Sequence, residues 1–191
     1  MVPPIEVEDF SELKKKEAQL IFDWFVSEIP ERLEYLHQLY KVGEGKRELD
    51  YTPDSLDSLW EWFLRQIDSL SKHPNEIKDI YGSSDDLFLK DFADHEQLET
   101  LIISICTDIG IYFGEVFVRN HEQVKWGFVT KPKNMIYVNK PVLTGFKIIG
   151  ETAAYDAVGA MYNIYQSYVL SGKGIRELGR SYERWKNRIT K

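Results

Sequence analysis

A single cysteine, Cys106, in 191 residues leaves no internal disulfide to form and no cysteine pair to hold a zinc ion. Such usage suits a reducing compartment. Histidine is almost as scarce. His37, His73, His95 and His121 are scattered, and no His-Glu-x-x-His occurs. Asp94, His95, Glu96 and Glu99 offer ligand types at helical spacing, but an acidic helix start has the same composition, so no metal is expected. The chain lacks an uninterrupted run of the ~20 apolar residues that a bilayer span requires. Its start, MVPPIEVEDFSELKKKE, lacks the apolar stretch of a secretory signal. We therefore expect no membrane segment and a cytoplasmic location. Gly-x-Ser-x-Gly is absent, and Ser171-Gly172-Lys173-Gly174 follows a helix, unlike a phosphate-binding loop, so it reads as a helix stop. No cofactor is expected.

Positive charge is missing where nucleic acid would need it. Residues 1–100 carry 24 acidic and 11 basic side chains, residues 101–170 carry 5 and 6, and residues 171–191 carry 2 and 7. The net charge is −7. A nucleic-acid binder presents a positive face across much of its domain, whereas here only the C-terminal segment, with Arg176, Arg180 and Arg184, is basic. No nucleic acid is expected as a partner. The acidic first half instead attracts a basic one. Its exposed candidates are Glu44, Glu48, Asp57, Glu61, Asp79, Asp85 and Asp86.

What the chain has in quantity is apolar and aromatic surface. Apolar residues make up 43%, with five tryptophans, eleven tyrosines and ten phenylalanines, enough for a substantial core in one domain. Phe10 to Ser27 reads as a helix with Leu13, Leu20, Ile21, Trp24 and Phe25 inward and Ser11 as its cap. Ile29-Pro30 interrupts it, and a second helix runs from Glu31 to Tyr40. After a polar loop, Thr52 caps and Pro53 opens a third, with Leu56, Leu59, Trp60, Phe63, Leu64 and Ile67 on one face. Residues 75–92 read as an acidic connection or lid. A very apolar helix spans about 94–119, its glycines Gly110 and Gly114 suggesting close approach of another backbone. Strands are expected at 124–129, 135–138 and 141–146, with the 130–134 loop as a hairpin and Trp126 in the core. Helices at 152–169 and 175–189 complete an α+β fold of five or six helices around a small antiparallel sheet.

Leu49-Asp50-Tyr51-Thr52-Pro53-Asp54-Ser55-Leu56, then Leu59-Trp60-Glu61-Trp62, form one group of motifs. Tyr112-Phe113-Gly114-Glu115 and Trp126-Gly127 form another. Together they resemble a loose group of uncharacterised bacterial proteins. In that group a Tyr/Phe-Ser/Thr-Pro-x-Ser-Leu helix start precedes a Tyr-x-Gly-Glu helix and a tryptophan strand. The resemblance covers roughly residues 49–128. It implies a single-domain cytoplasmic protein of bacterial origin and an immunity role against polymorphic toxins.

The polar stripe on the apolar helix is the one constellation that raises a chemical question. Asp108, Tyr112, Glu115 and Arg119 are spaced i, i+4, i+7, i+11 and share a face, while Ile105, Ile109, Phe113, Val116 and Phe117 cover most of the rest. One reading is a satisfied buried network, with Glu115 and Arg119 paired and Asp108 accepting from Tyr112 or a neighbouring helix. A second is a ligand or partner contact. A third is a catalytic carboxylate pair, for which seven residues, about 10.5 Å of helix rise, leave Asp108 and Glu115 too far apart to share one water. Cys106 on the same helix reads as a small buried hydrophobe. The expected function is a non-catalytic binding protein, of immunity type, facing a basic protein partner. The alternatives are a small hydrolase using a pocket around Asp108 and Glu115, and an oligomeric adaptor.

Overall fold

The computed structural model describes residues 3–72, 95–148, 151–172 and 177–190. Five helices and a three-stranded antiparallel sheet form these residues: α1 (Lys15–Val42), α2 (Pro53–Lys72), α3 (His95–Asn120), β1 (Lys125–Gly127), β2 (Val142–Ile148), β3 (Glu151–Tyr155), α4 (Ala157–Ser171) and α5 (Glu177–Lys186). The class is α+β, as the periodicity predicts.

A short 3-10 turn, Phe10–Glu12, precedes α1, and its first backbone N–H groups are held by Asp9 rather than Ser11. The break expected at Ile29-Pro30 does not occur. α1 runs through Pro30, which lies on the exposed side, while Ile29 and Leu33 are buried beside it. The hydrogen bond that proline removes belongs to the carbonyl of Val26, itself an exposed residue, so water can satisfy the orphaned group, and the buried face on either side carries the helix through. Leu20, expected inward, is 46% exposed on that outer side.

Pro53 opens α2 as expected, and every apolar position predicted for its inner face is buried. Thr52 does not cap with its hydroxyl, which is donated to Asp50 at 2.6 Å. The Thr52 carbonyl instead receives the Ser55 hydroxyl at 2.7 Å.

α3 is the central element. Ile109, Ile111, Tyr112, Phe113, Val116 and Phe117 are wholly buried on it. Its stretch Glu99–Asn120, mean hydropathy 1.8, is long and apolar enough to cross a membrane by length and composition. Here 72% of that window is buried within the protein. Gly110 allows the close approach its position suggests: a Cβ there would lie 2.6 Å from the Val158 Cα at the start of α4. Gly114 is needed for a different neighbour, the ring of Trp126.

The sheet departs most from expectation. Residues 135–138 are not a strand, and 130–134 do not close a hairpin. Successive turns fold this segment, from Met135 N–H to the Pro132 carbonyl and from Val138 N–H to the Met135 carbonyl. Asn139, in the left-handed region at φ 60°, anchors it by donating its side-chain amide to the carbonyls of Phe10 and Leu13. β1 therefore pairs with β2, Trp126 opposite Leu143. β2 pairs in turn with β3, Phe146 opposite Ala153, and the sheet reaches 155 rather than 146. Residues 151–155 continue as strand where a helix is expected from 152. Asp156 caps Gly159 N–H at 2.7 Å and starts α4 only at Ala157. Beyond the end of β1, residues 188–190 run along β2, with Lys147 N–H to the Arg188 carbonyl at 2.8 Å.

Candidate functional site

The four stripe residues of α3 do share a face, but packing separates them into distinct contacts. Asp108 is fully buried and receives a bidentate pair from Arg32 of α1, Nε at 2.6 Å and Nη2 at 2.5 Å. The same guanidinium reaches Ser104 Oγ at 3.0 Å. Burial pushes the Asp108 carboxyl up to about 6, with Arg32 opposing the shift. Asp108 thus pairs with a neighbouring helix and not with Tyr112.

Tyr112 faces the loop before α2. Its hydroxyl accepts Tyr51 N–H at 3.0 Å and lies 2.7 Å from Ser55 Oγ, and burial raises it to about 12. Glu115 and Arg119 form the predicted i, i+4 pair at 3.2 Å. The second Glu115 oxygen accepts the Trp126 indole N–H at 2.9 Å. Arg119 lies over the Tyr51 ring, 3.4 Å from its centroid, and Tyr51 stacks on Tyr112 at 4.9 Å. Tyr51 holds φ 61°, costly for a bulky residue, and Tyr112 and Asn120 bind its two backbone polar groups.

Neither Asp108 nor Glu115 lines the polar groove beside Asp57 and Glu61, the apolar cavity beside Trp24 and Phe25, or the cavity beside Glu8 and Lys133. Each carboxylate has both oxygens occupied. Cys106 is buried, its thiol raised to about 12 chiefly by burial, as expected of a packing residue. No group of three or more metal-ligating side chains comes together among the described residues.

The acidic candidates divide. Glu44 and Glu48 are exposed on the loop after α1, where Lys41, Lys46 and Arg47 offset them and Asp50. Asp79, Asp85, Asp86 and the expected 75–92 lid lie outside the described residues. Asp57 and Glu61 belong to a polar groove between α2 and α5. Its cavity of about 420 Å³ is lined by Asp54, Asp57, Glu61 and Glu183, with Arg47 the one basic side chain and Tyr182 among its walls. Positions 54, 57 and 61 follow i, i+3, i+7 and so form one acidic face of α2. Asp57 accepts Gly179 N–H at 3.0 Å, and a Cβ at position 179 would lie 2.8 Å from that carboxylate. Tyr182 bonds His121 Nε2 at 2.8 Å, and burial raises the phenol to about 12 and lowers the imidazole.

Asp57 and Glu61 are among the acidic residues expected from sequence to meet a partner, whereas Asp54 and Glu183 are not. Asp54 reads locally as a helix-dipole residue and Glu183 sits in the basic last helix. The helical spacing from 54 to 61 marks the acidic face in the sequence, whereas the arrival of α5 opposite it has no local signal. Family models, curated proteins and solved structures contain no match to this chain.

Proposed function

We propose that this chain is a non-catalytic cytoplasmic binding protein that takes a basic segment of a protein partner into the groove between α2 and α5. The observation that carries the reading is the groove's charge: four carboxylates and one guanidinium line it, and of the four only Glu183 has an ion-pair partner among the described residues, Lys186 at 3.2 Å. Asp54, Asp57 and Glu61 have no ion-pair partner among the described residues. Uncompensated carboxylates in a concave site raise the local concentration of cations and speed their encounter. Each is worth little alone, since exposed pairs contribute about 0–1 kcal/mol. Collectively they act on association rate and partner choice more than on affinity. The immunity part of the reading, against a basic toxin domain in a bacterium, rests on the resemblance of the Tyr51-Thr52-Pro53 and Tyr112-Phe113-Gly114-Glu115 motifs.

The test combines capture and kinetics. Partners are captured from the source cells with the native chain and with a variant carrying Asp54→Asn and Glu61→Gln. Association is then measured across a salt series. A basic partner, an on-rate reduced about tenfold in the variant, and a flatter salt dependence are expected. A partner bound equally by the variant, or indifferent to salt, overturns the groove as the docking site.

A further inference from the structure

A second cavity, remote from the acidic groove in chemistry, opens at the start of α4. It measures about 270 Å³ and is lined by Phe10, Ile21, Trp24, Phe25, Pro141 and Val158, with Thr107, Lys140, Asp156 and Gly159 as its polar members. The walls come from the N-terminal turn, α1, α3, the segment before β2 and the start of α4. Drug-sized sites run from about 300 to 1,000 Å³, so its occupant is small.

The polar groups are arranged as an open pair of charges. Lys140 Nζ lies 4.0 Å from Asp156 Oδ2, at the outer limit of an ion pair. Both side chains keep solvent access, 35% and 24% exposed. The other Asp156 oxygen is committed to Gly159 N–H at 2.7 Å, which fixes the carboxylate at the helix start. The Lys140 ammonium is 5.7 Å from the centroid of the Phe10 ring, and its charge also acts on the exposed Asp9 carboxylate. The Thr107 hydroxyl donates to the Ile103 carbonyl at 2.9 Å, which leaves its oxygen as an acceptor.

A lone anion would meet the Asp156 carboxylate, and a lone cation would meet Lys140. A ligand with both charges on one carbon meets each with its opposite. We propose that this cavity binds a free apolar α-amino acid. Its side chain enters among Ile21, Trp24, Phe25 and Val158. Its carboxylate pairs with Lys140 and its ammonium with Asp156 Oδ2, in a cavity that Thr107 also lines. The site would make the protein responsive to a small metabolite, independently of any partner in the acidic groove.

Calorimetry and amide NMR with L-leucine and L-phenylalanine test it directly, with 3-phenylpropionate, phenethylamine and glycine as comparisons. Saturable binding of an apolar amino acid is expected, with shifts at Gly159 and Thr107. The two half-charged analogues and glycine should bind at least about tenfold more weakly. Asp156→Asn keeps a good helix cap but removes the charge. It should weaken amino-acid binding while sparing 3-phenylpropionate. Lys140→Met, at a part-exposed position, should spare phenethylamine instead. Absence of binding by the native chain up to about 10 mM overturns the proposal, as does equal binding of the half-charged analogues. Unchanged affinity in both variants overturns it too.

Discussion

Arg32 and Asp108 set the clearest energetic question at the level of single residues. Burial lifts the Asp108 carboxyl from 3.8 to about 6, so between those values the folded chain holds a proton that the unfolded chain releases. Stability from this group is therefore fully present below pH 3.8 and is lost as pH rises through about 6. Arg32 limits that loss by pairing with the ionised form. Arg32→Met should raise the Asp108 carboxyl further and leave a buried charge unpaired at neutral pH. The expected cost is about 3–5 kcal/mol near pH 8 and clearly less near pH 4. Denaturant melts at the two pH values check this, and equal destabilisation at both would show that Arg32 does not hold the charge. Trp126 carries a second lesson at this scale. Strand alternation predicts it as core, yet it is half-buried, its ring against Gly114 and its N–H on Glu115. Alternation reports which side of a strand a residue takes, not how much of the neighbouring helix covers it.

Between elements, α3 and α4 approach backbone to backbone. Gly110 meets the backbone of α4, and a Cβ there would stand 2.6 Å from Val158 Cα and 3.0 Å from the Ala157 carbonyl oxygen. Alanine would add about 1 kcal/mol of helix propensity in an exposed helix. Against backbone it must instead push α4 aside, so Gly110→Ala should destabilise by about 1–3 kcal/mol in denaturant melts. A neutral or stabilising result would mean that the two helices are not packed this closely. Gly114→Ala should cost less, because the half-buried Trp126 ring can move. The pairing of glycines was legible in the sequence. The continuity of α1 through Pro30 was not, because whether a proline breaks a helix depends on whether the orphaned carbonyl faces water. Nor was β3, since Glu151–Tyr155 becomes strand by pairing with β2, which local propensity does not report.

Across the whole molecule, one buried cluster joins residues of α1, α2, α3, the sheet, α4 and α5, including Leu36, Trp60, Phe113, Phe146, Met161 and Tyr182. Shared burial of this kind couples the elements, so unfolding should be a single cooperative event. Tryptophan fluorescence and far-ultraviolet circular dichroism should give coincident transitions. Separated midpoints would show two independently folding parts and overturn the single-domain expectation. The class, the faces of α2 and α3, the burial of Cys106 and the Glu115–Arg119 pair all follow from the order of residues, because helical periodicity and i, i+4 spacing are local geometry. Tertiary structure alone decided that Arg32 is the partner of Asp108, that the α3 stripe splits among three neighbours, and that α5 completes an acidic groove with α2. Those contacts join residues from 11 to 122 positions apart across different elements, and chain order carries no distance information once the chain has turned between elements.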